Sequence, residues 1–446
     1  MKAFKKLFPL VLTCLLLVAC GSEPAPTVPE TTAAPATEPA LQILDWADDA
    51  QPSNDTRKQA VTVKSFIDGD TVHFHVPEDV MEGGVLKARF LAVNTPESTG
   101  KIEEYGKAAS RFTRERLENA ADILIESEDS NWNADSTGDR FLVWVWYRAA
   151  GSDTWRNLNI ELLQEGLAYA NSSANNRYGD TCMAAIQQAK AARVSVYSGQ
   201  PDPDFFYGDA VELTLKELRC NIEAYNGVKV AFNGIITANS GTQGVYVEDY
   251  DPETGLYFGI YVYYGHGLNG MGLDAITVGN ETRIVGSVQY YEAGGTWQVS
   301  DLSYDMMNPK DPNNLLKLSS GHSPAYAPID LETFYSQITL ANGESELTAR
   351  WTQLALGTSV AMENLQVVDA YTTDNTDSSS YGAITLICEA EGGNITIRTV
   401  PMKDENGNLI TQDLYLGKTI DVKGIVDFFD GGYQIKVFTP DNIIIN

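Results

Sequence analysis

Apolar and polar residues alternate between residues 56 and 198 in a way that predicts a small sheet with helices packed on it. Val61 to Phe66 and Ile67 to Val76 alternate with a period of two, which is typical of strands, and Asp68-Gly69-Asp70 predicts the bend between them. Further strands are predicted at Leu86 to Val93, Asp122 to Glu126 and Arg140 to Tyr147. Helical spacing predicts helices at Glu103 to Asn119, Leu158 to Ala168 and Asp180 to Tyr197.

The rest of the chain contains a repeat. Ser-Gly-Gln-Pro-Asp-Pro-Asp after Tyr197 predicts a linker. Beyond it, the run from Thr282 through Gly286 to Trp297 parallels the run from Thr419 through Gly424 to Tyr433. Short strands, turn glycines and the lack of a long helical pattern predict two tandem OB-like β-barrels, at residues 205–320 and 325–446. The predicted fold class is multidomain and mainly β.

The N-terminus predicts export. Lys2, Lys5 and Lys6 precede an apolar run that ends at Ala19, and this run is shorter than the ~20 residues of a spanning helix. The run ends in a segment that resembles the bacterial lipobox, in which Cys20 would receive the lipid; the alternative is an ordinary cleaved signal. Residues 1–20 are therefore a predicted lipoprotein signal, and the Pro/Thr/Ala-rich residues 21–55 are a predicted tether. We expect an extracellular protein anchored to the membrane through Cys20.

Charge differs sharply between the parts of the chain. The whole sequence has 31 Lys and Arg against 60 Asp and Glu, a net charge of −29. Residues 56–198 contain 16 basic and 20 acidic residues, whereas residues 199–446 contain 12 and 33. A polyanion is repelled by such an average field, so phosphate contact is expected only in the first folded unit.

The acidic C-terminal part is rich in aromatic residues, among them Tyr246, Tyr261, Tyr263 and Trp297. Aromatic rings on OB folds can stack on single-stranded bases. Few basic residues are present here to bind a phosphate backbone. We therefore favour the interpretation that these aromatic side chains lie in the barrel cores or at their rims. The partner of this tail is not predicted by the sequence.

Three separated motifs in residues 56–198 carry candidate chemistry: Ile67-Asp-Gly-Asp-Thr71, Arg89 to Glu97 with the sequence RFLAVNTPE, and Gly138-Asp-Arg140. Each alone has an ordinary explanation, such as a turn, a helix start or a surface ion pair. In this order, however, they resemble the thermonuclease, or staphylococcal-nuclease-like, family. Two helical segments, Glu104 to Thr113 and Asn159 to Ala168, look like the first and second helices of that family.

This resemblance implies an OB-type five-stranded barrel with helices that hydrolyses phosphodiester bonds of DNA or RNA. By its position in the motifs, Asp70 would offer a carboxylate oxygen to a metal ion, Asn94 an amide oxygen and Thr95 its backbone carbonyl. Oxygen-only coordination suits Ca²⁺. Asp68 shares the turn with Asp70, and its expected role is to orient the loop, with direct metal binding as the alternative.

The resemblance also assigns roles in the reaction. Arg89 and Arg140 would clamp the phosphate, because a planar guanidinium gives two parallel hydrogen bonds to it and stays charged. Glu97 would be the general base for the attacking water. Both the arginines and the glutamate are therefore predicted catalytic residues.

Two places depart from the family pattern. Between Asp135 and Arg140, the basic residue and the aromatic residue that usually precede the family's Gly-Arg are missing. The family has an aspartate where this chain has Asn94. The amide keeps an oxygen but removes a formal charge, so weaker calcium binding is expected. The alternative function is a catalytically inactive surface binding or adhesion module that keeps only the barrel.

Overall fold

The computed structural model describes most of the chain beyond residue 42. The described residues are 43–99, 101–241, 243–265, 268, 270–343, 345–376, 378 and 380–446. The predicted signal, the predicted lipid site Cys20 and the tether as far as residue 42 lie outside the described residues. Within those ranges, no helix has both the length and the apolar character needed to cross a membrane.

The first β-rich unit contains the elements predicted between residues 56 and 198. Its strands are β1 (Lys58–Asp68), β2 (Thr71–His75), β3 (Val85–Phe90), β4 (Val93–Asn94), β5 (Asp122–Glu126), β6 (Phe141–Arg148), β7 (Arg156–Asn157) and β8 (Tyr169–Ala170). Its helices are α1 (Trp46–Asp49), α2 (Gly106–Glu118), α3 (Leu158–Gln164) and α4 (Gly179–Ala192). The last helix ends earlier than predicted because Arg193 adopts a left-handed φ of +52° and caps it.

The five longer strands close into a barrel. The order around it is β1-β2-β3-β6-β5, and β5 pairs again with β1. Neighbouring strands are antiparallel except β3 and β6, which are parallel. Because side chains alternate across a strand, Val72 and Phe74 of β2 both point into the core and are 0% exposed. The predicted OB-type barrel is confirmed.

Helix α2 covers one end of this barrel. Ala109, Thr113 and Leu117 lie on one helical face because they are spaced by four residues, and all three are buried. The hydroxyl of Thr113 donates a hydrogen bond of 2.6 Å to the carbonyl of Gly69, in the turn between β1 and β2. The helix is therefore fixed directly behind that turn.

The predicted tether limit of residue 55 differs from the structure. Residues 46–49 form α1, and Ala47, at 0% exposure, belongs to the first hydrophobic core. The backbone N–H of Trp46 donates a 2.7 Å hydrogen bond to the side chain of Gln164 in α3. The apolar Trp46-Ala47 pair explains the difference, because burial of these side chains stabilises a docked segment.

Two more β-rich units follow. The strands of the second are β9 (Val211–Glu212), β10 (Lys229–Asn239), β11 (Gly244–Asp251), β12 (Leu256–Tyr263), β13 (Asn280–Tyr291), β14 (Thr296–Ser300) and β15 (Leu316–Ser320), and its helices are α5 (Leu215–Cys220) and α6 (Met271–Ala275). The strands of the third are β16 (Ala327–Pro328), β17 (Gln337–Asn342), β18 (Ser345–Arg350), β19 (Ser359–Thr372), β20 (Ile384–Ala390), β21 (Gly393–Thr399), β22 (Thr419–Phe429), β23 (Gly432–Val437) and β24 (Ile443–Ile445), and its helices are α7 (Leu331–Tyr335) and α8 (Trp351–Leu354).

Both units repeat the strand order of the first barrel. The second closes as β10-β11-β12-β14-β13 and the third as β19-β20-β21-β23-β22, with the last strand of each series paired to the first. In each barrel, the third and fifth of these strands along the chain pair in parallel: β12 with β14, and β21 with β23. Gly286 lies opposite Val230 in one barrel, and Gly424 lies opposite Val360 in the other. The repeat seen in the sequence therefore corresponds to two OB-like barrels, as predicted.

The second and third barrels also share core residues. Leu340 in β17 and Leu354 in α8 are buried in the hydrophobic core of the second barrel, although both lie within the predicted unit 325–446. In addition, the carboxylate of Glu248 accepts hydrogen bonds from Ser359 and Ala325. The division of the chain into independent domains stays a prediction, with limits at residues 56–198, 205–320 and 325–446.

Candidate active site

Strand pairing brings the three motifs to one edge of the first barrel. In the β2–β3 pair, Thr71 lies opposite Arg89, so the preceding Asp70 is close to that arginine. In the parallel β3–β6 pair, Ala88 lies opposite Phe141, which directly follows Arg140. Segments that are far apart in the sequence therefore meet at this edge.

Asp70 lies at the centre of the cluster and is 0% exposed. Its Oδ1 accepts hydrogen bonds from Nη1 of Arg89 and, at 3.1 Å, from the hydroxyl of Thr71. Its Oδ2 accepts a 2.8 Å hydrogen bond from the backbone N–H of Thr95. The carboxylate thus joins the β1–β2 turn, strand β3 and the segment after β4.

The glycine of the Asp-Gly-Asp turn allows this close approach. A Cβ on Gly69 would lie 2.8 Å from Cβ of Ala109 and 2.9 Å from Cγ2 of Thr95, which is too close for any side chain. The neighbouring Asp68 accepts a 3.2 Å hydrogen bond from the N–H of Asp70. This hydrogen bond from Asp70 to Asp68, which is 6% exposed, helps to hold the turn.

The electrostatic environment of Asp70 is dominated by burial. Burial and the Asp68 carboxylate raise the pKa of Asp70 to about 7, while Arg89 and the Thr95 N–H act in the opposite direction. Two buried carboxyl groups beside one arginine favour the approach of additional positive charge.

Arg89 also holds Asn94. Its Nη2 donates a 2.6 Å hydrogen bond to Oδ1 of Asn94, whose side chain is exposed. The chain turns sharply between them at Ala92, which has a left-handed φ of +68°. Such backbone is uncommon for alanine, and here the Ala92 carbonyl is fixed by hydrogen bonds from Ser173 and Asn171.

Glu97 follows on a loop that is tied to the start of α2. The Glu97 N–H donates to the Glu103 carboxylate at 3.3 Å, and the Glu103 N–H donates back to the Glu97 carbonyl at 2.9 Å. A Cβ on Gly106 would lie 2.1 Å from that carbonyl oxygen, so only glycine fits there. Partial burial, Asp68 and Glu103 raise the pKa of Glu97, against the lowering effect of Arg89 and Arg140.

Arg140 stands just before β6 and is bound by Asp135. Its Nε and Nη2 lie 2.8 Å and 2.7 Å from Oδ2 of that carboxylate. Its side chain is 33% exposed. Of the six predicted site residues, four are in direct contact (Asp70, Arg89, Asn94 and Thr95), and the charge of Arg140 acts on Glu97 beside them.

Sequence reasoning missed Tyr169. In the short β4–β8 pair this residue lies opposite Asn94, and 46% of it is exposed. Its ring makes an edge contact with Tyr197, with 6.3 Å between centroids. Two-residue strands leave no periodic signal, so the pairing that places Tyr169 beside the cluster could not be found from the pattern.

Comparisons with known proteins agree with this geometry. The family described as staphylococcal nuclease homologue matches residues 87–199. A protein named thermonuclease from Staphylococcus intermedius is 30% identical over 149 residues, which cover 32% of this chain and 80% of that protein. The chain belongs to the staphylococcal nuclease homologue family.

The staphylococcal nuclease homologue match begins at Lys87. It therefore includes Arg89, Glu97 and Arg140, whereas Asp70 lies upstream of it. In the structure, Asp70 contacts Arg89 and Thr95, which lie within the matched residues. The resemblance to the thermonuclease family is confirmed.

Proposed function

We propose that the first barrel is an extracellular calcium-dependent nuclease that hydrolyses phosphodiester bonds of DNA or RNA. The observation that carries the proposal is the convergence of two arginines, a buried carboxylate and an accessible glutamate at one edge of a nuclease-family barrel. A phosphodiester needs this combination, since its transition state accumulates negative charge and its attacking water loses a proton.

The residues at this edge fit a calcium ion. Among the described residues, no group of three or more His, Cys, Asp and Glu side chains is placed to hold a metal ion. The proposed ligand set instead combines three kinds of oxygen: the Asp70 carboxylate, the Asn94 side-chain amide and the Thr95 backbone carbonyl. Water would fill the remaining positions. Ca²⁺ accepts such irregular oxygen sets, and when bound it would offset charge on a phosphate oxygen.

The two arginines supply the phosphate clamp. Arg89 is held by Asp70 and Asn94, so its guanidinium is positioned before any substrate arrives. Arg140 is more accessible and is bound by a single carboxylate, Asp135, which a phosphate group must replace. Both charges strengthen interactions with the transition state more than with the less charged ground state.

Glu97 acts as the general base. Its raised pKa makes it a better proton acceptor than an ordinary surface glutamate, while the two arginines keep the ionised form accessible. The tie between the Glu97 and Glu103 backbones limits the movement of its loop. Glu97 can therefore orient a water molecule for in-line attack beside the clamp.

The proposal is tested by incubating the full chain with linear DNA and, separately, with RNA at millimolar calcium. Cleavage that stops on addition of a chelator and returns with excess calcium is the expected result. Intact DNA and RNA at millimolar calcium would instead support the inactive binding module, in which Asn94 has abolished catalysis.

Asn94→Asp is expected to lower the calcium concentration for half-maximal cleavage by roughly tenfold, the change produced by about 1.4 kcal/mol of added attraction. The aspartate keeps the acceptor that Arg89 uses and adds a formal charge. A calcium titration of activity measures the shift. Asn119→Asp, at the far end of α2, adds the same charge away from the site, and an equal shift in both variants would contradict the ligand role.

Tyr169→Ala is expected to raise KM for single-stranded DNA by roughly tenfold, because base stacking on an aromatic ring contributes about 1–3 kcal/mol. Tyr169 is exposed and lies opposite Asn94, so its ring is available to a base next to the bound phosphate. Steady-state kinetics check the change. Tyr169→Phe keeps the ring and should keep KM; a rise in KM for that variant would argue against stacking.

Membrane anchoring through Cys20 is a separate proposal that rests on the sequence. Cys20→Ser is expected to abolish incorporation of a labelled fatty acid and to release the protein from the membrane fraction of the producing cell. Cys14→Ser, within the apolar run, is the matched control and should leave both unchanged. Lipid labelling that persists in the Cys20→Ser protein would contradict the assignment.

A further inference from the structure

A cavity of about 490 Å³ lies where the second and third barrels meet, and Thr99 of the first unit also lines it. Its size falls within the range of pockets for small organic ligands. Aromatic side chains form much of its wall: Tyr246, Tyr261, Tyr263, Trp297 and Phe428. Several residues that the sequence favoured as core or rim therefore face a common space.

Arg219 of α5 also lines this cavity and is only 6% exposed. Its Nη2 donates a 2.5 Å hydrogen bond to the backbone carbonyl of Gln353. Its Nε and Nη1 are buried and have no hydrogen-bond partner within the described part of the chain. Arg219 is thus a buried cation that reaches the wall of a pocket and has two donors that no group in the described residues satisfies.

A buried guanidinium of this kind is unfavourable unless an anion joins it. Burial lowers the pKa of Arg219 to about 10, which still leaves the group charged at neutral pH. Among the described residues, the acidic side chain at the cavity wall is that of Asp427, and it is engaged elsewhere: it accepts hydrogen bonds from Tyr246 at 3.2 Å and from Gln434 at 2.8 Å. The second basic residue at the wall is Lys436.

The arrangement is unusual for this part of the protein. Residues 199–446 contain 12 basic and 33 acidic residues, yet the described residues at the wall of this cavity include two basic residues and one acidic residue. The surrounding negative charge disfavours a long polyanion. A small ligand with a single acidic group avoids most of that repulsion and still pairs with the guanidinium.

We propose that this cavity binds a small organic anion that consists of a planar ring bearing one phosphate or carboxylate group, with the acidic group on Arg219 and the ring against the aromatic wall. Planar rings stack on tyrosine and tryptophan, as they do in single-strand binding OB folds. Nucleoside monophosphates and aromatic carboxylates share this chemistry. None of the six predicted nuclease residues lines this cavity, although Thr99 at its wall lies two positions after Glu97.

Calorimetric titration of the full chain tests the proposal. The experiment is performed in a chelator with the Arg140→Met protein, so that the nuclease site does not contribute calcium-dependent binding. The probes are adenosine monophosphate, 4-hydroxybenzoate, adenosine and inorganic phosphate. One or both of the ring-bearing anions should bind at least tenfold more tightly than adenosine and phosphate.

Variants identify the cavity as the binding site. In the Arg140→Met background, the further substitution Arg219→Met should weaken binding roughly tenfold or more, because it removes hydrogen bonds from the guanidinium to the anion. Adding Trp297→Leu should weaken it by a similar factor through lost stacking. The matched control is Arg283→Met, in the same barrel, whose guanidinium binds Glu212 and the Pro312 carbonyl instead.

Thermal unfolding separates a ligand site from a structural role. Without ligand, the Arg219→Met protein should melt no lower than its parent, since an unpaired buried charge has been removed. A lower melting temperature with unchanged ligand affinity would overturn the proposal. The proposal would also be overturned if neither ring-bearing anion bound, or if inorganic phosphate bound as tightly as the ring-bearing anions.

Discussion

Replacing Arg140 with methionine is expected to lower kcat for phosphodiester hydrolysis by roughly 10³-fold, the loss seen when a charged group that stabilises a transition state is removed. The fold should be retained, because the Asp135 carboxylate, which is only 7% exposed, keeps its hydrogen bonds from the N–H and hydroxyl of Thr137. The measurement is single-turnover cleavage of a labelled oligonucleotide at saturating calcium, with thermal unfolding of the same sample.

A control arginine lies at the far end of the strand that follows Arg140. Arg148, at the other end of β6, is also 33% exposed and also pairs with one carboxylate, Asp122. Arg148→Met should retain full activity. Equal losses in the two variants would mean that general charge, rather than the position of Arg140, governs the rate. Arg140→Lys should recover only part of the rate, since lysine cannot form the two parallel hydrogen bonds of a guanidinium.

Glu97→Gln is expected to lower kcat by about 10²–10⁴-fold with little change in KM, which is the signature of lost general base catalysis. The amide keeps the size of the side chain, and the hydrogen bond from the Glu103 N–H to the Glu97 carbonyl remains. Steady-state kinetics over a range of substrate concentrations separate the two constants.

Two further measurements define the role of Glu97. Glu118→Gln removes a carboxylate that pairs with Arg114 on the outer surface of α2, and it should leave kcat unchanged. A strong nucleophile such as hydroxylamine should partly restore cleavage by the Glu97→Gln protein, because it needs less help from a base. A large rise in KM with normal kcat would assign Glu97 to substrate binding instead.

Much of the first barrel could be predicted because the local pattern of apolar and polar residues agrees with the strands and helices that form. The period of two in β2 and the spacing of Ala109, Thr113 and Leu117 in α2 follow directly from burial of one face. The site residues at positions 70, 89, 94 and 95 were predicted from motif order, and strand pairing brings them together.

Other features depend on contacts that no local pattern carries. The docking of Trp46 and Ala47 depends on residues in α3 and α4, more than a hundred positions away. Leu340 lies in one predicted unit and is buried in the core of another. Arg219 belongs to a segment, Leu-Lys-Glu-Leu-Arg-Cys, that is typical of an ordinary surface helix, and only the meeting of two barrels buries it.

The parallel pair that closes each barrel has a consequence for how the chain folds. Arg89 must meet Leu142, Tyr261 must meet Gln298, and Ile397 must meet Ile435 before any of these pairs contributes stability. The chain therefore loses loop entropy before these strand pairs contribute stabilising contacts. Refolding from denaturant should consequently be slow for a chain of this size. Newly made chains consequently expose unpaired strand edges for longer than a helical protein would, and they depend more on protection from aggregation.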